Sequence, residues 1–269
     1  MSTLKFTKMH GAGNDFIVVS DLEIEAASVQ LTAPVIEALC DRQLGIGADG
    51  LIIVAYDFEL DFKMIYYNSD GYEAEMCGNG ARCAFAFANK LGMVSDIGVF
   101  ATGSGPANGT IGADFVKVSL PTSSPPELDY VLDSGSKVHF ANTGVPHAVL
   151  ISDSISELDL KELGPKIRYD AVFAPSGANV NFLEKQDANL YKIRTYERGV
   201  EAETLACGTG ASASALILFC LDQATSPVTF LTKGGDKLIV DIKEKNGQYD
   251  LHLTGPATIA FTGEVEIND

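Results

Sequence analysis

Short runs in which apolar and polar residues alternate recur along the chain and predict strands over 16–20, 51–55, 62–67, 116–120, 148–151, 191–196, 238–242 and 249–253. Longer segments with apolar residues at helical spacing cover 34–43, 80–91 and 210–221. Strands outnumber helices, which makes this a mixed α/β chain of the α+β kind. The one linker-like stretch, Pro121-Thr-Ser-Ser-Pro-Pro126, lies close to the midpoint. It predicts a boundary between a first half, residues 1–123, and a second half, residues 124–256.

The two halves repeat one another. Phe62-Lys-Met-Ile-Tyr-Tyr-Asn-Ser-Asp-Gly-Tyr-Glu-Ala-Glu-Met-Cys77-Gly-Asn-Gly-Ala is echoed by Tyr191-Lys-Ile-Arg-Thr-Tyr-Glu-Arg-Gly-Val-Glu-Ala-Glu-Thr-Leu-Ala-Cys207-Gly-Thr-Gly-Ala at an offset of 129 or 130. Each copy reads as strand, turn, a Glu four residues before Cys, then Cys-Gly-x-Gly-Ala opening a helix. Gly13-Asn-Asp-Phe-Ile-Val-Val is echoed by Gly144-Val-Pro-His-Ala-Val-Leu at an offset of 131. Two echoes near one offset predict an internal duplication whose halves face each other across a cleft.

Composition narrows the function classes. With 46% hydrophobic and 20% charged residues in 269, the chain has enough apolar surface for a real core. Nineteen basic residues against 36 acidic ones give a formal charge of −17, and no Lys/Arg cluster is placed to neutralise phosphates, so nucleic acid is excluded as a partner. Residues 1–10 lack the apolar stretch of a signal peptide, and the longest apolar run, 213–221, is too short to span a bilayer. A cytoplasmic protein with no membrane association is therefore expected. Five cysteines, an odd number at low density, point to reduced thiols.

A cysteine at the start of a helix meets unpaired N–H groups and a positive partial charge, which lower its pKa and also bind a carboxylate. Two such helices related by a pseudo-twofold axis can hold a small carboxylate with one sulfur on each face of its α-carbon. A thiolate then takes the α-proton while the opposite thiol delivers another, and the N–H dipoles stabilise the growing charge. Cys77 and Cys207 are accordingly read as an acid/base pair acting without a cofactor, since no Lys stands in a setting that suggests a Schiff base. A lone cysteine beside glycines is more often a small core residue, but the repeat argues against that here. A zinc site from Cys77, Cys83, Cys207 and His147 is disfavoured: Cys77 and Cys83 are six residues apart, and no Cys-x-x-Cys exists. No metal is expected. Cys40, Cys83 and Cys220 read as packing residues, and His10 and His252 as structural, while His139 has no informative context. The other Gly-x-Gly runs lack the context of a dinucleotide site.

These residues resemble those of the diaminopimelate epimerases over essentially the whole chain. The blocks that carry the likeness are Lys8-Met-His-Gly-Ala-Gly-Asn-Asp-Phe, Asp41-Arg-Gln-Leu-Gly-Ile-Gly-Ala-Asp-Gly, Tyr67-Asn-Ser-Asp-Gly, Met76-Cys-Gly-Asn-Gly-Ala-Arg-Cys, Gly144-Val-Pro-His, Asn179-Val-Asn-Phe and Tyr196-Glu-Arg-Gly-Val-Glu-Ala-Glu-Thr-Leu-Ala-Cys-Gly-Thr-Gly. The resemblance implies two pseudo-symmetric domains, each a curved, mainly antiparallel sheet around a central helix. It also implies that the strand within 257–269 returns to the first domain, and that the protein is a homodimer. The implied reaction interconverts L,L- and meso-diaminopimelate, toward lysine, without pyridoxal phosphate. By the same resemblance Cys77 and Cys207 are acid and base, and Asn14, Asn68, Asn179 and Arg198 hold the substrate. Gly78 with Asn79, and Gly208 with Thr209, grip the reacting carboxylate. His147 and Glu197 lie beside the reacting amino acid and tune the cysteines, with Glu197 also contacting substrate. The chain departs from the family's pattern at Val145, where many members carry Asn, and at Gly50, where some carry Gln. Two alternatives are a proline or hydroxyproline racemase-like enzyme of the same fold and a non-catalytic ligand-binding relative. Asn79 and Arg198 argue against the first, and retention of both cysteines against the second.

Overall fold

The computed structural model describes residues 2–74, 76–133 and 135–267. In chain order its elements are β1 (Ser2–Gly11), β2 (Asn14–Ser20), α1 (Asp21–Ala27), α2 (Ala33–Cys40), β3 (Gly50–Ala55), β4 (Phe62–Asn68), β5 (Glu73–Ala74), α3 (Gly78–Lys90), β6 (Ile97–Thr102), β7 (Gly105–Ile111), β8 (Val116–Ser119), β9 (Glu127–Val131), β10 (Lys137–Asn142), β11 (Pro146–Ile151), α4 (Leu160–Arg168), β12 (Asn179–Asp187), β13 (Leu190–Glu197), β14 (Ala202–Thr204), α5 (Gly208–Cys220), β15 (Val228–Leu231), β16 (Lys237–Lys245), β17 (Gln248–Gly255) and β18 (Thr258–Ile267). They form two compact units, Met1–Val118 with Pro256–Asp269, and Ser119–Gly255.

In the first unit the strands lie side by side in the order β18, β1, β2, β3, β4, β6, β7, β8. Neighbours are antiparallel except β2 with β3 and β4 with β6. Helix α3 packs on β1, β2, β3, β4 and β7, burying Ala81, Cys83, Ala84, Phe85, Phe87 and Ala88 against them. Phe85 joins Phe62 and Phe100, whose rings stack at 4.8 Å. Such aromatic pairs contribute about 1 kcal/mol beyond their buried area. Elsewhere in the unit, α2 buries Ile36, Leu39 and Cys40 in a cluster with Ile17, Leu51 and Ile53. The pattern over 34–43 predicts a helix to Gln43, but α2 ends at Cys40 because the Asp41 side chain accepts from the N–H groups of Gln43 and Leu44 and turns the chain.

The second unit repeats this strand order and these directions, although its edge strand β9 directly precedes β10 whereas β18 comes to β1 from the end of the chain. Its order is β9, β10, β11, β12, β13, β15, β16, β17, again antiparallel except for β11 with β12 and β13 with β15. Helix α5 packs on β10, β11, β12, β16 and β17 and is small or apolar all round, as befits a helix buried on every side. The short strands β5 and β14 pair at matching places with β4 and β13. The division at Val118 puts the proline-rich segment in the second unit rather than dividing the units after Ser123. The cause is visible in the hydrogen bonds. Leu120 N–H donates to the Leu251 carbonyl, the Thr122 hydroxyl to Asp250, and Ser123 pairs with Tyr249, so 120–123 runs along β17.

Candidate active site

In the first unit Cys77 is the N-cap of α3, in extended conformation, and its Sγ accepts from the Gly80 N–H at 3.4 Å. The pattern over 80–91 sets the helix start at Gly80; it begins two residues earlier, so Gly78 and Asn79 supply its first N–H groups. Asn14, opening β2, points its Oδ1 at Cys77 Sγ (3.6 Å) and accepts from Asn79 Nδ2 (3.2 Å). The opposite end of that amide donates to Asp49 Oδ2 at 2.6 Å. Behind Asp49 stands a chain of charge: Arg42 bonds both Asp49 and Asp15, and Lys8, buried, bonds Asp15 and the Gly47 carbonyl. Burial pushes the Asp15 carboxyl up, but the bonds from Arg42 and Lys8 prevail and bring it down to about 2. Arg82 is fully buried on α3 and donates to the Gly78 carbonyl, Asn79 Oδ1 and the Pro256 carbonyl. Asn68 ends β4 opposite Gly50 and is exposed. A Cβ at Gly50 would lie 2.4 Å from the Tyr67 carbonyl and 2.7 Å from the Tyr66 ring, so the glycine makes room for β4 and that ring.

In the second unit Cys207 is the N-cap of α5 and is buried. Its Sγ lies 3.5 Å from Thr209 Oγ1, which is 3.0 Å from His147 Nε2. His147 Nδ1 lies 3.0 Å from Asn181 Nδ2, and Asn181 Oδ1 accepts from the Thr195 hydroxyl at 3.0 Å. Asn179 opens β12, and its Oδ1 accepts from the Arg198 N–H at 2.7 Å. Glu197 ends β13 opposite Ala202, and its carbonyl accepts from the Glu201 N–H. The turn between them is anchored by Arg168, which bonds Glu201, and by the Arg194–Glu203 pair.

Of the residues picked out in the sequence, Asn14 thus contacts both Cys77 and Asn79 in the first unit. His147, Thr209 and Cys207 form one chain in the second, and Asn179 meets Arg198 there. Asp49, Arg42, Asn181 and Thr195 are additional. Arg42, Asp49 and Asn181 lie in the quoted blocks Asp41 to Gly50 and Asn179-Val-Asn181, and Thr195 in the repeat that begins at Tyr191, but nothing in those runs singles them out. Cys40 and Cys83 are buried packing residues, their thiols pushed by burial up to about 11 and about 12, which keeps them protonated.

Burial, with the charge of Arg198, lowers His147 to about 3 from an ordinary 6.5, so the ring is neutral in the fold. Between those values the unfolded chain binds a proton that the folded one refuses. The stability owed to the neutral ring is therefore whole above pH 6.5 and is lost as pH falls toward 3. The urea midpoint is expected to fall steadily from pH 6.5 to 4.5, and His147→Gln to flatten that slope. The stability owed to the Asp15 carboxylate is whole above the ordinary carboxyl value of 3.8 and is lost below it, outside this window.

A family model described as diaminopimelate epimerase matches residues 6–120 and 139–260. Among similar proteins, the diaminopimelate epimerase of Flavobacterium psychrophilum is 40% identical over 96% of this chain and 98% of its own length. That of Methanocella arvoryzae is 38% identical over 100% and 99%, and that of Aquifex aeolicus 38% over 97% and 98%. Among solved structures, a Bacillus anthracis phenazine biosynthesis protein of the PhzF family superposes with a TM-score of 0.74 at 14% identity, covering 99% of this chain and 100% of that one. A hydroxyproline epimerase from Agrobacterium vitis, with bound trans-4-hydroxy-L-proline, gives 0.73 at 16% identity, covering 98% and 91%. At those identities the structural likeness concerns the fold.

Proposed function

This chain belongs to the diaminopimelate epimerase family, and on that footing we propose that it interconverts L,L- and meso-diaminopimelate by two-base proton transfer between Cys77 and Cys207. One sulfur, as thiolate, takes the α-proton; the substrate passes through a carbanion whose charge spreads into its carboxylate; the other sulfur, as thiol, gives a proton to the opposite face. The first sulfur ends protonated and the second ends as thiolate, so charge and protons balance with roles exchanged. The observation that carries this reading is that each cysteine caps a buried thirteen-residue helix at the same point of two units with the same strand order. The first-turn N–H groups at Gly78 and Asn79, and at Gly208 and Thr209, supply the donors that stabilise the growing carboxylate charge.

Substrate contacts follow from the amides. Asn179 Oδ1 is taken by the Arg198 backbone N–H, so its Nδ2 is the group offered to substrate, and the Arg198 guanidinium pairs with the distal carboxylate. Asn68 serves that distal end as well. Both ends of the Asn14 amide are engaged within the protein, so its main part is to orient Cys77 and Asn79. Glu197 and His147 stand beside the reacting amino acid and tune the cysteines. The reaction needs a reduced thiol pair, which supports a cytoplasmic setting. A homodimer is proposed as well: Ile259 and Phe261 leave apolar surface exposed on β18.

The substrate assignment is tested by offering the reduced protein L,L-diaminopimelate, L-proline and trans-4-hydroxy-L-proline in parallel. Inversion of the first alone is expected, with Arg198→Ala raising KM more than it lowers kcat. Inversion of either proline instead would leave the two-cysteine chemistry standing and overturn the substrate.

A further inference from the structure

The hydrogen-bond chain behind Cys207 has a fixed direction, and it can be read from its far end. Asn181, fully buried on β12, has one amide atom 3.4 Å from the Ala148 carbonyl and 3.0 Å from His147 Nδ1, and the other 3.0 Å from the Thr195 hydroxyl. A carbonyl oxygen only accepts, so the amide atom facing Ala148 is the nitrogen. That nitrogen donates its other hydrogen to His147 Nδ1, which must be unprotonated. The ring is neutral, so its single proton is on Nε2 and is donated to Thr209 Oγ1. The Thr209 hydroxyl has two partners among the described residues, His147 and Cys207. With the His147 position already occupied by a proton, the hydroxyl hydrogen goes to Cys207 Sγ. Every member is buried, so no link is loosened by solvent.

Cys77 has the opposite surroundings. The Asn14 amide is fixed by the Asp49 carboxylate, again an acceptor only, which leaves its carbonyl oxygen facing Cys77. A neutral thiol satisfies both contacts there, accepting from Gly80 N–H and donating to Asn14 Oδ1; a thiolate satisfies only the first. Charges stand on both sides. Arg82 and Cys83 on α3 neighbour Cys77, with Asp49 behind Asn14, while Arg198 and the neutral His147 are on the Cys207 side. The matching registers of the two sheets reinforce the contrast. The places of His147, Asn181 and Thr195 are filled in the first unit by Phe16, Ile52 and Tyr66, so the amide, imidazole and hydroxyl sequence is not repeated there.

We propose, resting on the two-cysteine reading above, that Asn181 is a positioning residue: its fixed amide makes Thr209 donate to Cys207, so that Cys207 is the thiolate and Cys77 the thiol of the substrate-free pair. Thr195 is its support.

The test uses the intact, reduced protein without substrate. With 15N-histidine labelling, and His147→Gln for assignment, His147 is expected as the Nε2–H tautomer; an Nδ1–H tautomer overturns the chain at its centre. With 13Cβ-cysteine labelling, Cys207 is expected to lose its proton at lower pH than Cys77. Thr209→Val is expected to raise the Cys207 midpoint by about one pH unit, the roughly tenfold worth of one hydrogen bond to a charged group, and Thr209→Ser to retain it. Asn181→Ala is expected to raise it as well. Cys77 titrating first, or a Cys207 midpoint unmoved by Thr209→Val, overturns the proposal. Because no turnover is measured, failure to epimerise diaminopimelate would refute the functional reading and leave this result separately readable.

Discussion

Replacing Cys77 or Cys207 by alanine is expected to lower turnover of L,L-diaminopimelate by about a thousandfold or more, in line with the roughly 10²- to 10⁴-fold contribution of one acid or base. The losses should be similar for both, because a two-base inversion stops when either sulfur is missing. They should also be far from additive: the double variant is expected to be hardly slower than either single one. Cys220→Ala is the control, since Cys220 ends α5 and contacts only Tyr249 among its described hydrogen-bond partners. Steady-state kinetics on the four variants checks this. A Cys77→Ala variant with most of its turnover would reduce that residue to a packing role.

The second large effect is expected at Gly210. A Cβ there would lie 2.3 Å from Asn181 Oδ1, an atom held by Thr195 and coupled through the same amide to His147. The alanine must push that amide aside. Overpacking of this kind costs about 1–3 kcal/mol, which outweighs the gain of up to about 1 kcal/mol from removing a helix glycine. The displaced amide should also release the His147 tautomer and lower turnover. At the matching Gly80, the new Cβ would meet Ile52 Cδ1 at 3.1 Å and Met64 Cε at 3.2 Å, the ends of flexible side chains, with Cys77 Cβ at an ordinary contact distance of 3.4 Å. Gly80→Ala is therefore expected to stay within about 1 kcal/mol of the parent. Urea midpoints and kcat for both variants test the contrast, and equal losses would contradict the account of Asn181.

How much of this was legible in the sequence depended on whether a residue's polarity matched its burial. The cores of α3 and α5 were readable because Cys-Gly-x-Gly-Ala is followed in each copy by a long apolar run, and the repeat itself placed the two cysteines. Strand β1 was not, because Lys5 and Lys8 interrupt its apolar residues; Lys8 turns out to be buried, its charge met by Asp15. Strand β18 exposes Ile259 and Phe261, which blurs its alternation. Helix α4 carries Pro165 in its interior, a residue that argues against a helix when read alone. The supporting residues of the site were the least legible. Asp49 and Asn181 look like turn residues in a sequence, and only the pairing of β2 with β3 and of β11 with β12 brings them to Asn14 and His147.

The central claim, one proton removed and another delivered by two cysteines, is tested most directly by incubating the reduced protein with L,L-diaminopimelate in deuterated water. The account predicts that meso product carries deuterium at the inverted carbon from the first turnover, and that Cys207→Ala forms no such product. Meso product that retains its original hydrogen, or deuterated product at an undiminished rate from Cys207→Ala, would contradict it.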